Sequence, residues 1–98
     1  MTKKELVLEV LGEIDDPELM IDIVSLGLIY DVKIKGDDVF VTMTFTFPGC
    51  PFGPSMIEDV KDKILSTEEF RNVDVKVTFE PPWTPEKIDP DIRAALNL

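Results

Sequence analysis

The segment Thr46-Phe47-Pro48-Gly49-Cys50-Pro51 holds the one thiol in a chain of 98 residues that has no histidine. Alternating residues run into it, and an apolar stripe at helical spacing follows it. Cys50 therefore falls at or just before the N-cap of a helix, with Pro51 at the first helical position. There the helix dipole and unpaired backbone N–H groups favour negative charge, which stabilises a thiolate and lowers its pKa. The chemistry this predicts is that of a reactive or metal-binding thiol. Pro48, Gly49 and Pro51 hold the loop close to the sulfur, and the Thr44 and Thr46 hydroxyls are candidates to donate to it. The same position also suits a small apolar side chain buried beneath the loop. A lone cysteine without a paired base or second ligand does not choose between the two.

Asp15, Asp16 and Glu18 form a second cluster that invites a reading as metal ligands or an acid/base pair. Asp and Pro are ordinary helix breakers, so a solvated acidic turn that ends a helix is the preferred reading. Pro82-Trp83 is a candidate partner contact, because tryptophan is enriched at interface hot spots. The large apolar area of Trp83 favours folding back over the core instead. Tyr30 begins a strand and reads as structural.

Composition removes several classes of function. Twenty acidic against ten basic side chains leave a net charge of −10, and no basic cluster exceeds Lys3-Lys4. That charge opposes the counterion release that drives nucleic-acid binding, so DNA and RNA are not expected ligands. Without histidine there is no Ser-His-Asp or Cys-His arrangement and no imidazole-dependent zinc site. One thiol forbids an internal disulfide. No apolar run approaches the ~20 residues of a membrane span and the start is not a signal peptide, so no membrane partner and a cytoplasmic location are expected.

The elements that must position these residues follow from periodicity. Thr2 and Glu5 make a capping-box pattern, and Leu6, Val7, Val10, Leu11 and Ile14 share a face, which predicts a helix over 3–14 that Asp15-Asp16-Pro17-Glu18 stops. Leu19 to Ser25 is read as a turn or two of helix, and Gly27 suits a positive φ. Tyr30, Val32 and Ile34 alternate with Asp31, Lys33 and Lys35 in a first strand. A turn at Gly36-Asp37-Asp38 leads into a second, with Val39, Val41, Met43, Phe45 and Phe47 on one face and Phe40, Thr42, Thr44 and Thr46 on the wetter one. Phe52, Met56, Ile57, Val60 and Ile64 predict a helix over 51–65. Val73, Val75, Val77 and Phe79 mark a third strand, and Asp89-Pro90 opens a closing helix through Leu96. Together they predict one α+β domain over 1–98, a two-layer α/β sandwich in the order helix, hairpin, helix, strand and short C-terminal helix, with the helices on one face of a three-stranded sheet. Strand order is left open.

Asp16-Pro17-Glu18, Asp22-Ile23-Val24-Ser25-Leu26-Gly27-Leu28-Ile29-Tyr30, Thr46-Phe47-Pro48-Gly49-Cys50-Pro51 and Pro81-Pro82-Trp83-Thr84-Pro85 resemble, in order and spacing, the iron-sulfur cluster assembly domain of SufT-like and PaaD-like proteins and of the eukaryotic cytosolic targeting factors. A related domain precedes the ATPase in some Mrp-type carriers. The resemblance spans essentially the whole chain. It implies a non-enzymatic role in assembling iron-sulfur clusters or transferring them to client proteins, with Cys50 as the functional thiol and Asp16, Pro17, Glu18, Thr46, Gly49 and Pro51 as the other motif positions. It also implies association as a homodimer, and client proteins or an assembly scaffold or carrier as partners. One thiolate per chain cannot hold a cluster that normally takes four, so a transient cluster at Cys50 would be shared across a dimer or with a client. Phe47 is bulkier than the small polar residue expected beside the cysteine loop, and Asn97 stands where glycine is common. The extra C-terminal cysteines of PaaD-like members are missing, so a role in phenylacetyl-CoA oxygenase assembly is not expected.

Two other classes compete with that reading. A metal-free adaptor would use the acidic surface to recognise a basic partner, with Cys50 structural. A thiol redox enzyme would need a resolving cysteine and a proton-shuttling base, and ranks last.

Overall fold

In the computed structural model, which describes residues 2–17, 19–46, 49 and 53–96, the chain forms helix α1 (Lys3–Leu11), strands β1 (Ile29–Lys35) and β2 (Asp38–Met43), helix α2 (Gly53–Leu65), strand β3 (Asn72–Val77), a 3-10 turn at Pro85–Lys87 and helix α3 (Pro90–Leu96). The fold is α+β. The sheet is mixed in the order β1-β2-β3, with β1 and β2 antiparallel and β2 and β3 parallel. Helix α2 is thus the crossover that a parallel pair requires, while a tight turn suffices between β1 and β2. Lys35 pairs with Asp38, leaving Gly36 and Asp37 as the turn, and Gly36 takes φ +59°. A positive φ at the first central position is what glycine supplies in a II′ hairpin.

Helix α1 starts as its sequence predicts, with the Thr2 hydroxyl oxygen accepting from the Glu5 N–H at 3.1 Å. It ends at Leu11 rather than at residue 14. Gly12 is the C-cap, and the Glu13 and Ile14 N–H groups donate to Val10 and Leu11 in tighter i→i−3 bonds. The Ile14 carbonyl is then free to accept from the Ile23 N–H, and Asp15 bridges to Asp22. Ile14 reaches the core by leaving the helix, so the stop lies several residues before Pro17.

Two strand expectations also change. Ile29 pairs with Met43 and Asp31 with Thr42, so Tyr30 is the extra residue of a bulge that breaks the regular register at the start of β1. The alternation expected to run to Phe47 stops, as strand, at Met43. Thr44, placed by period two on the wetter face, is fully buried, and its N–H donates to the Leu28 carbonyl. The chain leaves the ladder there to pair with the segment that precedes β1.

Val7 and Leu11 of α1, Val39, Val41 and Met43 of β2, and Met56, Val60 and Ile64 of α2 form one core with Ile23, Leu26, Leu28 and Ile88. Helix α1 packs on β1 and α2, and α2 packs on β3. The other side of the sheet shows Asp31, Lys33, Phe40, Asp74 and Lys76 to solvent. No helix among the described residues is long and apolar enough to cross a membrane.

After β3 the chain returns over residues 25–30. The Tyr30 hydroxyl donates to the Pro81 carbonyl at 2.8 Å, the Trp83 indole N–H to the Leu26 carbonyl at 2.7 Å, and the Asp89 N–H to the Ser25 carbonyl at 2.8 Å. Gly27, at φ +77°, lies so close to Lys87 that an added Cβ would sit 2.3 Å from its carbonyl oxygen. Asp89 opens α3 by accepting from the Asp91 N–H.

Candidate functional site

The candidate site is the connection from β2 to α2. On the strand side, Phe45 is buried, tilted against Phe79 with ring centroids 6.4 Å apart. On the helix side, Gly53 is buried under the same Phe45 ring, whose nearest carbon would be 3.0 Å from an added Cβ. The two ends of the connection are therefore clamped together, and a side chain at residue 53 would push them apart. The sequence carried a signal for this, a glycine inside the first helical turn, that periodicity does not interpret. Between the clamps, Thr46 is half-buried and Gly49 is exposed at φ +79°. The Thr44 hydroxyl donates to the Phe45 carbonyl at 3.5 Å, within its own chain segment. Phe47, Pro48, Cys50, Pro51 and Phe52 lie outside the described residues, as do Glu18 and Asn97.

The acidic turn reaches this end of the molecule from the other side. Ile14, Asp15, Pro17, Ser55, Met56 and Asp59 line one groove of about 190 Å³ between the turn and the first turns of α2. The structure thus brings the Asp16-Pro17 motif beside the helix that Cys50 precedes in sequence by three residues.

Asp16 departs from the solvated turn expected of it: it is 3% exposed, while Asp15 is on the surface. The Asp16 carboxylate accepts from the Leu19 N–H at 3.0 Å, its N–H donates to the Ile21 carbonyl, and its carbonyl accepts from the Met20 N–H at 2.8 Å. A carboxylate is suited to this because it accepts several donors at once while the backbone folds round it. Turning the chain this tightly places Met20 in the left-handed region, φ +57°, and leaves Leu19 and Met20 44% and 72% exposed. Reading Leu19 to Ser25 as a helical turn missed this apolar tip, since a hydrophobic pair carries no mark that it points outward.

Along α2 a second groove, about 510 Å³, is lined by Glu13, Asp15, Asp59 and Asp62, with Lys63 4.0 Å from Glu13. Among the described residues no group of three or more cysteines or carboxylates is placed to hold a metal ion. Pro82 is exposed, whereas Trp83 is half-buried against the core.

The sequence pattern of a family described as iron-sulfur cluster assembly protein matches residues 4–77, which includes both edges of the site and all three strands. The chain belongs to that family. Within it, the chain is 38% identical over 96 residues to the Fe-S protein maturation auxiliary factor YitW of Bacillus subtilis (97% of this chain, 94% of the relative). It is 40% identical over 84 residues to the Fe-S protein maturation auxiliary factor SufT of Staphylococcus aureus (85% and 96%). A conserved hypothetical protein of Thermotoga maritima has the same fold, with a TM-score of 0.84 and 42% identity over the full length of both chains. The iron-sulfur cluster assembly resemblance read from the four motifs is therefore correct.

Proposed function

We propose that this chain is a non-enzymatic accessory factor that helps assemble iron-sulfur clusters or transfer them to client proteins, with Cys50 as the exchanging ligand. The observation that carries the reading is the shared groove: the buried-aspartate turn and the first turns of α2 face each other at the end of the molecule where the Cys50 loop is anchored. Phe45 and Gly53 hold together the two ends of the connection whose sequence contains Cys50. The cluster is cargo here. A single thiolate leaves the remaining ligand positions to a client's cysteines, small thiols or a second copy, and such an open site exchanges metal more readily than a closed four-ligand one. Members named as auxiliary factors support the role in maturation. The exposed Leu19-Met20 tip beside the groove offers the client an apolar contact. We place this activity in the cytoplasm.

The test is anaerobic reconstitution with iron and sulfide, paired with maturation of a client iron-sulfur enzyme. Wild-type protein is expected to give a visible-absorbing species that Cys50→Ala lacks, and that variant is expected to fold normally and fail in maturation. Full maturation by Cys50→Ala would remove the thiol mechanism.

The acidic groove along α2 favours a second reading, a metal-free adaptor that binds a basic segment of a partner through Glu13, Asp15, Asp59 and Asp62. A protein that stays colourless in the same experiment yet binds client would support that reading.

A further inference from the structure

The sheet face turned away from the helices carries two rows of side chains set by strand pairing. Lys33, Phe40 and Asp74 lie side by side across β1, β2 and β3, and Asp31, Thr42 and Lys76 form the neighbouring row. All but Thr42 are exposed, Phe40 by 37%, and together with Lys35 they line a shallow concavity of about 290 Å³. The charges reverse from β1 to β3 in both rows. A half-turn about an axis along β2, midway between two such faces, lays β1 of one copy over β3 of the other and keeps the rows level. Lys33 then meets Asp74 of the second copy, Asp31 meets its Lys76, and Phe40 meets its Phe40. Each charge of the two rows finds its opposite, and Phe40 finds an aromatic partner.

We propose that this face is a homodimer interface, one copy stacked on a second with Phe40 against Phe40 across a two-fold axis along β2. The charge balance points the same way. A chain of net charge −10 repels its own copies, and this face, with three lysines against two aspartates, does not add to that repulsion. Three strands about 4.8 Å apart and some six residues long give a footprint of roughly 15 by 20 Å. Such a contact falls at the small end of protein interfaces, so the dimer is weak and forms as concentration rises. The inference does not depend on the role of Cys50.

The experiment is sedimentation equilibrium of the full chain in reductant, which removes disulfide-linked species. Wild type is expected to dimerise between about 10 μM and 1 mM. Lys33→Asp sets like charges opposite each other and is expected to weaken association about tenfold or more. Adding Asp74→Lys restores the pairing, and the double variant is expected to return to within about threefold of wild type. Adding Asp31→Lys instead is expected to leave association weak. The exchange of Lys76→Asp with Asp31→Lys repeats the cycle on the other row, and thermal melts confirm that each variant is folded. A wild type that stays monomeric to about 1 mM, an indifferent Lys33→Asp, or rescue by Asp31→Lys in place of Asp74→Lys would overturn the interface; the last would place the axis across the strands.

Discussion

The Trp83 indole N–H donates to the Leu26 carbonyl at 2.7 Å, across 57 residues of chain. This contact is one of a set, with Tyr30 to Pro81, Ser25 to Asp89 and Gly27 under Lys87, that fastens the segment after β3 onto the segment before β1. Two of the four sequence motifs are thereby structural partners of each other. A third, around Asp16, lies beside the first turns of α2, where Asp15 and Pro17 share a groove with Ser55, Met56 and Asp59.

Trp83→Phe keeps much of the apolar contact and deletes the hydrogen bond, for an expected loss of about 1 kcal/mol in urea denaturation. Trp83→Ala removes the packing as well. Because the side chain is half-buried, its expected cost of about 2–3 kcal/mol sits at or below the low end of the range for buried tryptophan. Equal costs for the two variants would mean that the ring contributes little beyond its N–H.

Gly27→Ala adds a methyl that would meet the Lys87 carbonyl oxygen at 2.3 Å, at a φ that L-residues disfavour. The expected cost is about 2 kcal/mol or more, split between backbone strain and displacement of the C-terminal segment. Amide exchange is the decisive readout: protection should fall in residues 83–96 more than in β2. Uniform loss across the chain would show that the two segments do not separate locally.

Asp16→Ala leaves the Leu19 N–H without its acceptor inside a tight turn, for an expected loss of about 1–3 kcal/mol. Asp16→Asn retains an acceptor oxygen and is expected to cost less than half as much. Chemical denaturation of both variants checks the order. If the asparagine variant proved as unstable as the alanine one, the charge itself, and not the acceptor geometry, would hold the turn.

Met20→Asn tests the apolar tip. Asparagine tolerates the left-handed conformation that Met20 occupies, so the melting midpoint should hold or rise, by an amount worth at most about 1 kcal/mol. Client maturation should fall, because an exposed apolar contact is lost. Unchanged maturation would exclude Met20 from the docking surface.

Helices, hairpin and strands were readable because each is written in local periodicity. Val39, Val41 and Met43 alternate and are buried on one side, and the stripe Met56, Val60, Ile64 predicts the buried face of α2. The errors fall where a local pattern was overruled by a distant backbone. Ile14 left α1 to accept from Ile23, Thr44 left its wetter face to donate to Leu28, and a bulge at Tyr30 breaks the register of β1. The candidate site was legible as a cysteine between turn-forming residues ahead of a helix, but the burial of Asp16 was not, because an acidic turn on the surface and one wrapped round its own carboxylate are written with the same residues.

Short-range information in the amino-acid order was enough to determine which segments are helical or extended, how many residues separate the cysteine from α2, and, through four spaced motifs, the family. Folding in three dimensions decided what sits beside what: β2 at the centre of the sheet, the aspartate turn against the start of α2, and the tryptophan segment over Leu26. The division has a physical origin. Periodicity and capping act within a few residues of one another, whereas the packing that sets Asp15 and Pro17 across a groove from Ser55, and the hydrogen bond that fastens Trp83 onto Leu26, join stretches of chain tens of residues apart, and which of them form depends on the shape of the whole core.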